Sequence, residues 1–514
     1  MPLSGPPLEE PVDITDLLHA GLQRHPDTTA LVSAKTRSTW RELETVANRL
    51  AANLLALGLE PGDRVATLMP NRTALLIFYL ACFRAGLVVT PLNYRYTPRE
   101  IDHALEVSGA VALFSHVERE ADWRASRFVG ELKHGVVTYG GTRASMPHYH
   151  DLAMSGPSTA SFPARDPAEP AAIFFTSGST GPAKGVTHSV ASVGWMIAGA
   201  VNAFEMVPED VILPGSSMSH VGSFIWALAG LSHGAKVVVA RTFDADEILP
   251  LLRVERPTVM CMIPAALLKL VREHGATSED FASLRLCRSG SDKVPAELEA
   301  EFESLTGHKI DEGYGMTEVG LATLNPPSGP MRIGSVGQPI AGFELSVRDD
   351  GGAEVTTDTA GQLHMKTPAR MLGYWNDPDA TAKTVRDEWL DSGDIMKADA
   401  EGYLWFCGRK KQIIVHDGSN IFPQEVEEAL LEHPAVENVG VIGIRDLMHG
   451  ENVRAYIALR EGIERPKAQE LIDFARERVG YKAPEEIEFL DEIPLNPTGK
   501  VDRVALKARA SAHH

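Results

Sequence analysis

Apolar residues recur at three- and four-residue spacing over residues 14–24, 39–57 and 73–84, which predicts three helices early in the chain. Between them, residues 64–68 and 88–91 are short apolar runs of the kind found in strands buried on both faces. The alternation resumes with strands predicted at 236–240 and 259–263 and helices at 245–256 and 265–274. Strands interleaved with helices in this way predict α/β layers. Residues 155–170, rich in proline, serine and alanine, read as a surface connector. Over residues 334–365 the pattern shortens to alternating segments with turn signals, such as 343–347 followed by two aspartates and two glycines, which predicts a small all-β unit. From residue 408 the chain is more charged, with helices predicted at 425–432 and 467–479 and strands at 439–443 and 454–459. That stretch has the size of a separate domain, about one hundred residues.

Composition narrows the setting. A chain of 514 residues exceeds the size at which a single core stops growing, so two or more domains are expected. With 69 acidic and 49 basic residues the net charge is −20, which gives no electrostatic footprint for nucleic acid or an anionic membrane. An anionic ligand must therefore be held by local donors. Cys82, Cys261, Cys287 and Cys407 are scattered among apolar neighbours without a C-x-x-C pair, and they read as core thiols in a reducing compartment. The longest apolar run, residues 74–83, is far short of the roughly 20 residues needed to cross a bilayer. Residues 1–13 lack the basic start and apolar stretch of a signal peptide, so a cytoplasmic location is expected.

Four segments carry chemistry. Residues 176–186 read TSGSTGPAKGV and follow an apolar run suited to a buried strand. Gly178 and Gly181 let the backbone turn tightly toward an anion, Ser177, Ser179 and Thr180 add hydroxyl donors, and Lys184 adds a charge, so the loop is suited to phosphate. It is not a Walker A loop, because no Ser or Thr follows the lysine. Residues 312–318, EGYGMTE, offer an aromatic face at Tyr314, glycines at 313 and 315, the Thr317 hydroxyl and the Glu318 carboxylate, the parts needed to stack a base, position a phosphate and hold Mg²⁺. The segment falls short of a dinucleotide fingerprint, since Glu318 stands at the third glycine and no clear strand leads into it. Asp394, in LDSGD at 390–394, and Arg409 suit ribose or phosphate, although a surface ion pair is the commoner use of such residues. Residues 495–502, LNPTGKVD, present Lys500 on a proline–glycine turn.

In this order the segments resemble the adenylate-forming ligase superfamily of acyl-CoA synthetases, peptide-synthetase adenylation domains and luciferases. Residues 373–375, GYW, 392–394, SGD, and 408–411, GRKK, match that family's spacing as well. The resemblance implies an α/β fold with a large N-terminal region of two layered α/β subdomains plus a distorted β-barrel, residues 1–409, and a small mobile α+β domain, residues 410–514, hinged near Lys411. It implies a two-step reaction in which a carboxylate attacks ATP to give acyl-AMP and pyrophosphate, and a thiol then displaces AMP. Carried over by position, Thr176, Ser177, Gly178, Ser179, Thr180, Gly181 and Lys184 would grip the β/γ-phosphates, and Tyr314 would flank adenine within the nucleotide segment made by Glu312, Gly313, Gly315 and Met316. Thr317 would meet the α-phosphate, Glu318 would hold Mg²⁺, Asp394 would bind the ribose, and Arg409 would contact ribose or phosphate. Lys500 would bridge the carboxylate and the α-phosphate, and after rotation of the small domain Gly418 would complete the thiol tunnel.

For the acid, residues 219–223, SHVGS, match the family's pocket segment, with His220 as gate and Gly290, Ser291, Gly313, Gly315 and Met316 leaving room for a bulky acyl group. No Asp lies between residues 214 and 228 to pair with an ammonium, which argues against an α-amino acid. Two departures stand out. Asp417 precedes Gly418 where the pantetheine usually passes, and Gln362 replaces a frequent glutamate with no evident chemical consequence. The expected activity is an AMP-forming acid:CoA ligase using ATP, Mg²⁺ and coenzyme A. The alternative passes acyl-AMP to an acyl carrier protein or a separate thioesterifying partner. A luciferase-like oxygenase and a nucleotide sensor are readings from other classes, and a homodimer is compatible with all of them.

Overall fold

The computed structural model describes residues 3–141, 147–157, 161–176, 183–290, 293–416, 419–446, 449–496 and 499–512. The chain divides into two compact units, a larger one of residues 2–345 and 365–390 and a smaller one of residues 346–364 and 391–514.

The larger unit is built on two sheets. The first orders its strands Gly373–Tyr374, Gly185–Ser189, Pro170–Phe175, Val88–Pro91, Arg64–Leu68, Ala112–His116 and Val136–Tyr139. Its last five strands are parallel, and the first two attach antiparallel at one edge. Arg64–Leu68 and Val88–Pro91 coincide with the runs that the hydrophobic pattern predicts. The helix Thr73–Ala85 is buried at every position, which is why its sequence is apolar all round instead of amphipathic.

The second sheet has nine strands, parallel from Thr29–Ser33 through Lys236–Val239, Val211–Gly215, Val259–Met262 and Leu286–Ser289 to Ile310–Met316. Helices Ala245–Glu255, Pro264–Arg272 and Ala296–Thr306 cover it through Leu252, Leu267, Leu298 and Phe302. Among the described residues every sheet runs in open order, so the expected distorted barrel is not closed. No helix among them is long and apolar enough to cross a membrane. All four cysteines are free thiols, as expected.

In the smaller unit the strands Ser419–Ile421, Ile414–His416, Gly450–Leu459 and Val436–Asp446 form a sheet, with Glu486–Phe489 added parallel to Gly450–Leu459. Residues alternate between its faces with period two. Val441 packs with Val426, Leu430 and Leu471 from the helices Pro423–Leu431 and Ala468–Val479. Its neighbour Ile442 packs on the other face with Leu506 and Ala510 of the helix Arg503–Ala512.

The helix predicted over 14–24 forms only at His19–Arg24. Upstream, the Asp13 carboxylate accepts from the Thr15 amide and hydroxyl, both at 2.8 Å, a local turn that competes with helical hydrogen bonding although Ile14, Leu17 and Leu18 are buried.

One buried carboxylate clamps the amino ends of three neighbouring strands of the nine-stranded sheet. Asp210, 2% exposed, accepts from Thr258 Oγ1 at 2.6 Å, Arg285 Nη2 at 2.6 Å and Nε at 2.9 Å, and the Val207 amide at 2.9 Å. Burial works to raise its pKa, but the donors from Arg285, Thr258 and Val207 override it and hold the carboxyl below its ordinary value. A depressed carboxylate stabilises the fold above the unfolded pKa, and that contribution is lost as pH falls through the folded one. Asp210→Asn should lower stability by about 3 kcal/mol at pH 7, with a smaller deficit below pH ~4, measured by denaturant unfolding. Equal stability of the two proteins at pH 7 would mean that this clamp contributes nothing.

Candidate active site

The candidate phosphate segment connects two antiparallel paired strands, Pro170–Phe175 and Gly185–Ser189. Its stem pairs Phe175 with Gly185 and Phe174 with Val186, and at its mouth the Thr176 amide donates to Lys184 O at 3.1 Å while the Lys184 amide donates to Thr176 Oγ1 at 3.3 Å. Ser177, Gly178, Ser179, Thr180 and Gly181 lie outside the described residues. The chain leaves the loop on a strand and reaches the helix Val190–Ala203 only afterwards. No helix N-terminus therefore stands directly behind the loop.

The exposed Lys184 places Nζ 4.8 Å from the centroid of the Tyr374 ring. Tyr374 is held opposite Val186 by strand pairing, and its hydroxyl donates to Glu318 Oε1 at 2.8 Å. Burial, and after it the charge and hydrogen bond of Glu318, push the Tyr374 phenol well above its ordinary value, so the group stays a donor. Glu318 itself is 5% exposed. Lysine, ring and carboxylate thus form one connected set at the mouth of the hairpin. The sequence reading placed Tyr374 in a matching motif and gave it no role.

Backbone contacts fix the other end of the set. The Glu318 carbonyl accepts from the Met371 amide at 2.8 Å, and the Thr317 carbonyl accepts from His188 Nε2 at 2.8 Å. His188 is fully buried, and burial lowers its pKa to about 4 against the Thr317 hydrogen bond that raises it. The ring is therefore neutral at physiological pH, protonated on Nε2, with Nδ1 3.3 Å from Ser192 Oγ. This histidine was also missed; its signal was a histidine inside the second strand of the hairpin, Gly185–Ser189.

The nucleotide segment corrects one expectation. A strand does lead into it: Ile310–Met316 carries Glu312, Gly313, Tyr314, Gly315 and Met316, parallel to Leu286–Ser289 on one side and antiparallel to Gly320–Leu324 on the other. The register shifts between Tyr314 and Gly315. Alternating glycines hid this strand from a pattern search. Gly315 does not open space for an acyl group, because a Cβ there would meet the Gly320 carbonyl oxygen at 2.2 Å; the glycine permits close approach of two backbones. Glu312 accepts from the Val294 amide at 3.0 Å and so ties down the chain after Gly290 and Ser291, the latter outside the described residues. Tyr314 is 9% exposed.

His220 precedes the helix Val221–Ser232, with Nε2 3.4 Å from Asn93 Nδ2. The loop before it is pinned from two directions: Asn71 Nδ2 donates to Ser216 O at 2.8 Å, and Tyr79 Oη donates to Met218 O at 3.0 Å.

In the smaller unit Asp394 and Arg409 stand opposite each other on paired strands, with Nε and Oδ1 3.6 Å apart. Gln362 beside them has a task after all. Its carbonyl oxygen accepts from Lys410 Nζ at 2.9 Å while its amide donates to Asp391, whose carboxylate also receives the Gly393 amide at 2.8 Å. A glutamate here would set a second carboxylate against Asp391. Lys500 sits on a tight turn in which its amide donates to Asn496 Oδ1 at 3.1 Å and the Asn496 amide to its carbonyl at 2.8 Å, with Gly499 at φ +85°. The turn is tied to the helix behind it by Arg503, whose Nη2 donates to Glu427 Oε2 at 2.6 Å. Asp417, Gly418, Pro497 and Thr498 lie outside the described residues.

Among the described residues no cluster of three or more His, Cys, Asp or Glu side chains could cage a metal. A single buried carboxylate such as Glu318 fits Mg²⁺, which is commonly held by one or two carboxylates with phosphates and water supplying the rest.

The AMP-binding enzyme family matches residues 18–375, and the AMP-binding enzyme C-terminal domain matches residues 425–500. The chain belongs to this family of adenylate-forming enzymes. It is 32% identical to a fatty acid–[acyl-carrier-protein] ligase of Streptomyces coeruleorubidus, over 99% of this chain and 98% of that one. It is also 32% identical to a feruloyl-CoA synthase of an Amycolatopsis species, over 94% and 96%. ATP-bound MatB of Rhodopseudomonas palustris has a similar structure, with TM-score 0.89, 28% identity, and coverage of 97% and 99%.

Tyr374→Phe keeps the ring beneath Lys184 and removes the donor to Glu318. Loss of one hydrogen bond to a charged group should lower kcat/KM for ATP-dependent pyrophosphate release roughly 10- to 100-fold. A wild-type rate in this variant would detach Tyr374 from the phosphate site.

Proposed function

We propose that this protein activates a carboxylic acid that is not an α-amino acid, using ATP to form acyl-AMP and pyrophosphate, and then transfers the acyl group to coenzyme A. The observation that carries the reading is the connected set of Lys184, Tyr374 and Glu318 at the mouth of a hydroxyl-rich hairpin, in a chain of the AMP-binding family. The feruloyl-CoA synthase relative supports coenzyme A as acceptor. The acyl-carrier-protein ligase relative supports the second reading, transfer to a carrier protein or through a partner enzyme.

The barrier in the first step is charge, since an anionic carboxylate must approach a polyanionic triphosphate. Thr176, Ser177, Gly178, Ser179, Thr180, Gly181 and Lys184 take the β- and γ-phosphates, and Thr317 donates to the α-phosphate from a backbone that His188 holds in place. Glu318, aligned by Tyr374, would hold Mg²⁺, which would supply further neutralisation of phosphate charge. Tyr314 flanks adenine in the segment of Glu312, Gly313, Gly315 and Met316, and Asp394 and Arg409 receive the ribose. Lys500 bridges the attacking carboxylate and the α-phosphate, placing a cation where charge concentrates in the transition state. His220, Gly290 and Ser291 border the acid. Residues 410–514 act as a mobile domain hinged at Lys411, presenting Lys500 for adenylation and the segment of Gly418 for thiol transfer.

The deciding experiment supplies purified protein with ATP, Mg²⁺, CoA and a panel of acids, and follows pyrophosphate and acyl-CoA together. Acyl-CoA formation supports the first reading; acyl-AMP without acyl-CoA, with transfer to an acyl carrier protein, supports the second. Lys500→Ala should lower acyl-AMP formation by about 10²–10³-fold and leave thioester formation from supplied acyl-adenylate near the wild-type rate. Loss of both steps to the same extent would contradict the division of labour assigned to Lys500.

A further inference from the structure

A buried arginine stands where the acid is expected to lie. Arg288, on the strand Leu286–Ser289, is 3% exposed, and among the described residues its guanidinium has no hydrogen-bond or ion-pair partner. Arginine stays protonated in proteins, and a buried charge without acceptors is costly, so a native fold rarely leaves one in that state without a use for it.

Its immediate surroundings do not neutralise it fully. Asp311 is the register partner of Arg288 on the next strand, but its Oδ1 accepts from Asn325 Nδ2 at 2.9 Å and its Oδ2 has no partner. Burial pushes the Asp311 carboxyl up to about 7, against the pull of Asn325 and Arg288. The guanidinium carbon lies 4.8 Å from the Trp226 ring centroid and 5.9 Å from that of Phe204. Aromatic faces favour a cation but offer no acceptor in the guanidinium plane.

Glycines make the place for this group. A Cβ on Gly290 would lie 3.4 Å from Arg288 Nη1 and 3.5 Å from Nη2, and a Cβ on Gly313 would lie 2.7 Å from Nη2. These two glycines leave the room that the guanidinium occupies, Gly290 directly after the strand Leu286–Ser289 and Gly313 just past the parallel pairing of Ile310–Met316 with it, near where open α/β sheets bind ligands. Trp226 belongs to the helix that follows His220.

We propose that Arg288 sets the specificity of the acid pocket and selects an acid with a second carboxylate at the end remote from the one that is adenylated. This rests on the pocket assignment made under Proposed function. A distal carboxylate matches the planar fork of a guanidinium with two parallel hydrogen bonds, while the Trp226 face packs against the cation from the side. A monocarboxylic acid of the same length leaves the buried donors unpaired, the situation in which polar sites reject an analogue by large factors.

The test uses the full-length protein with ATP and Mg²⁺ and compares pyrophosphate release on matched acids: hexanoate with adipate, octanoate with suberate, benzoate with isophthalate, and 6-hydroxyhexanoate as a neutral acceptor. Wild type should favour the diacid of at least one pair by about 10²-fold or more in kcat/KM. Arg288→Met should erase that preference by slowing the diacid while leaving the monoacid unchanged or faster. Arg288→Lys, which keeps the charge without the fork, should retain part of it; it also serves if the methionine variant does not fold. A ratio that is the same in wild type and both variants, or a wild-type preference for monoacids, overturns the proposal. Equal use of 6-hydroxyhexanoate and adipate overturns its requirement for an anion. If no acid releases pyrophosphate, the ligase reading has failed, and calorimetric binding of adipate to wild type and Arg288→Lys still decides the role of Arg288: tighter binding to wild type upholds it, and equal or absent binding overturns it.

Discussion

The hydrogen bond from Tyr374 to Glu318 is the contact on which the proposed phosphate site depends. The chain carries a net charge of −20, so a triphosphate meets an unfavourable field and must be held by a few well-placed groups. Glu318 adds one more negative charge near that place. Tyr374 meets the problem from both sides, donating to the carboxylate with its hydroxyl and receiving Lys184 on its ring. The distance between carboxylate and ammonium is thereby set by a rigid phenol.

That arrangement is anchored by backbone. Tyr374 is fixed by pairing with Val186 on the hairpin itself, Thr317 by a neutral histidine two residues further along the same strand, and Glu318 by the Met371 amide shortly before Tyr374. Three stretches far apart in sequence, near residues 186, 317 and 373, therefore cross-brace one another. A histidine pushed down to about 4 by burial suits this use, because a ring that gained and lost a proton near neutral pH would alter the hydrogen bond it donates.

Elements with a strong period were legible from the chain alone. Trp40–Ala56, Thr73–Ala85 and Arg64–Leu68 lie where apolar spacing placed them. What escaped detection were segments whose side chains are small or absent: Ile310–Met316 pairs as a strand although two of its seven residues are glycine, because strand pairing uses backbone groups and needs no side chain. The hydroxyl-rich loop, Glu318 and Lys500 could be singled out from the chain because each stands in a short motif. The contacts of Tyr374, His188 and Arg288 could not, since each is made across the fold. Gly315 misled in the opposite sense, its missing side chain serving a neighbouring backbone and not a ligand.

The central claim is that Lys184 and Glu318 act as one unit through Tyr374. A double-mutant cycle of Lys184→Met and Glu318→Gln, read as kcat/KM for ATP-dependent pyrophosphate release, tests it directly. Groups that share a network show interaction energies of about 0.5–3 kcal/mol, so the double variant should be less impaired than the product of the single effects by at least a few-fold, and that coupling should shrink in a Tyr374→Leu background. Strict additivity, within about 0.3 kcal/mol, would show that the two charges act independently and that the tyrosine between them is only packing.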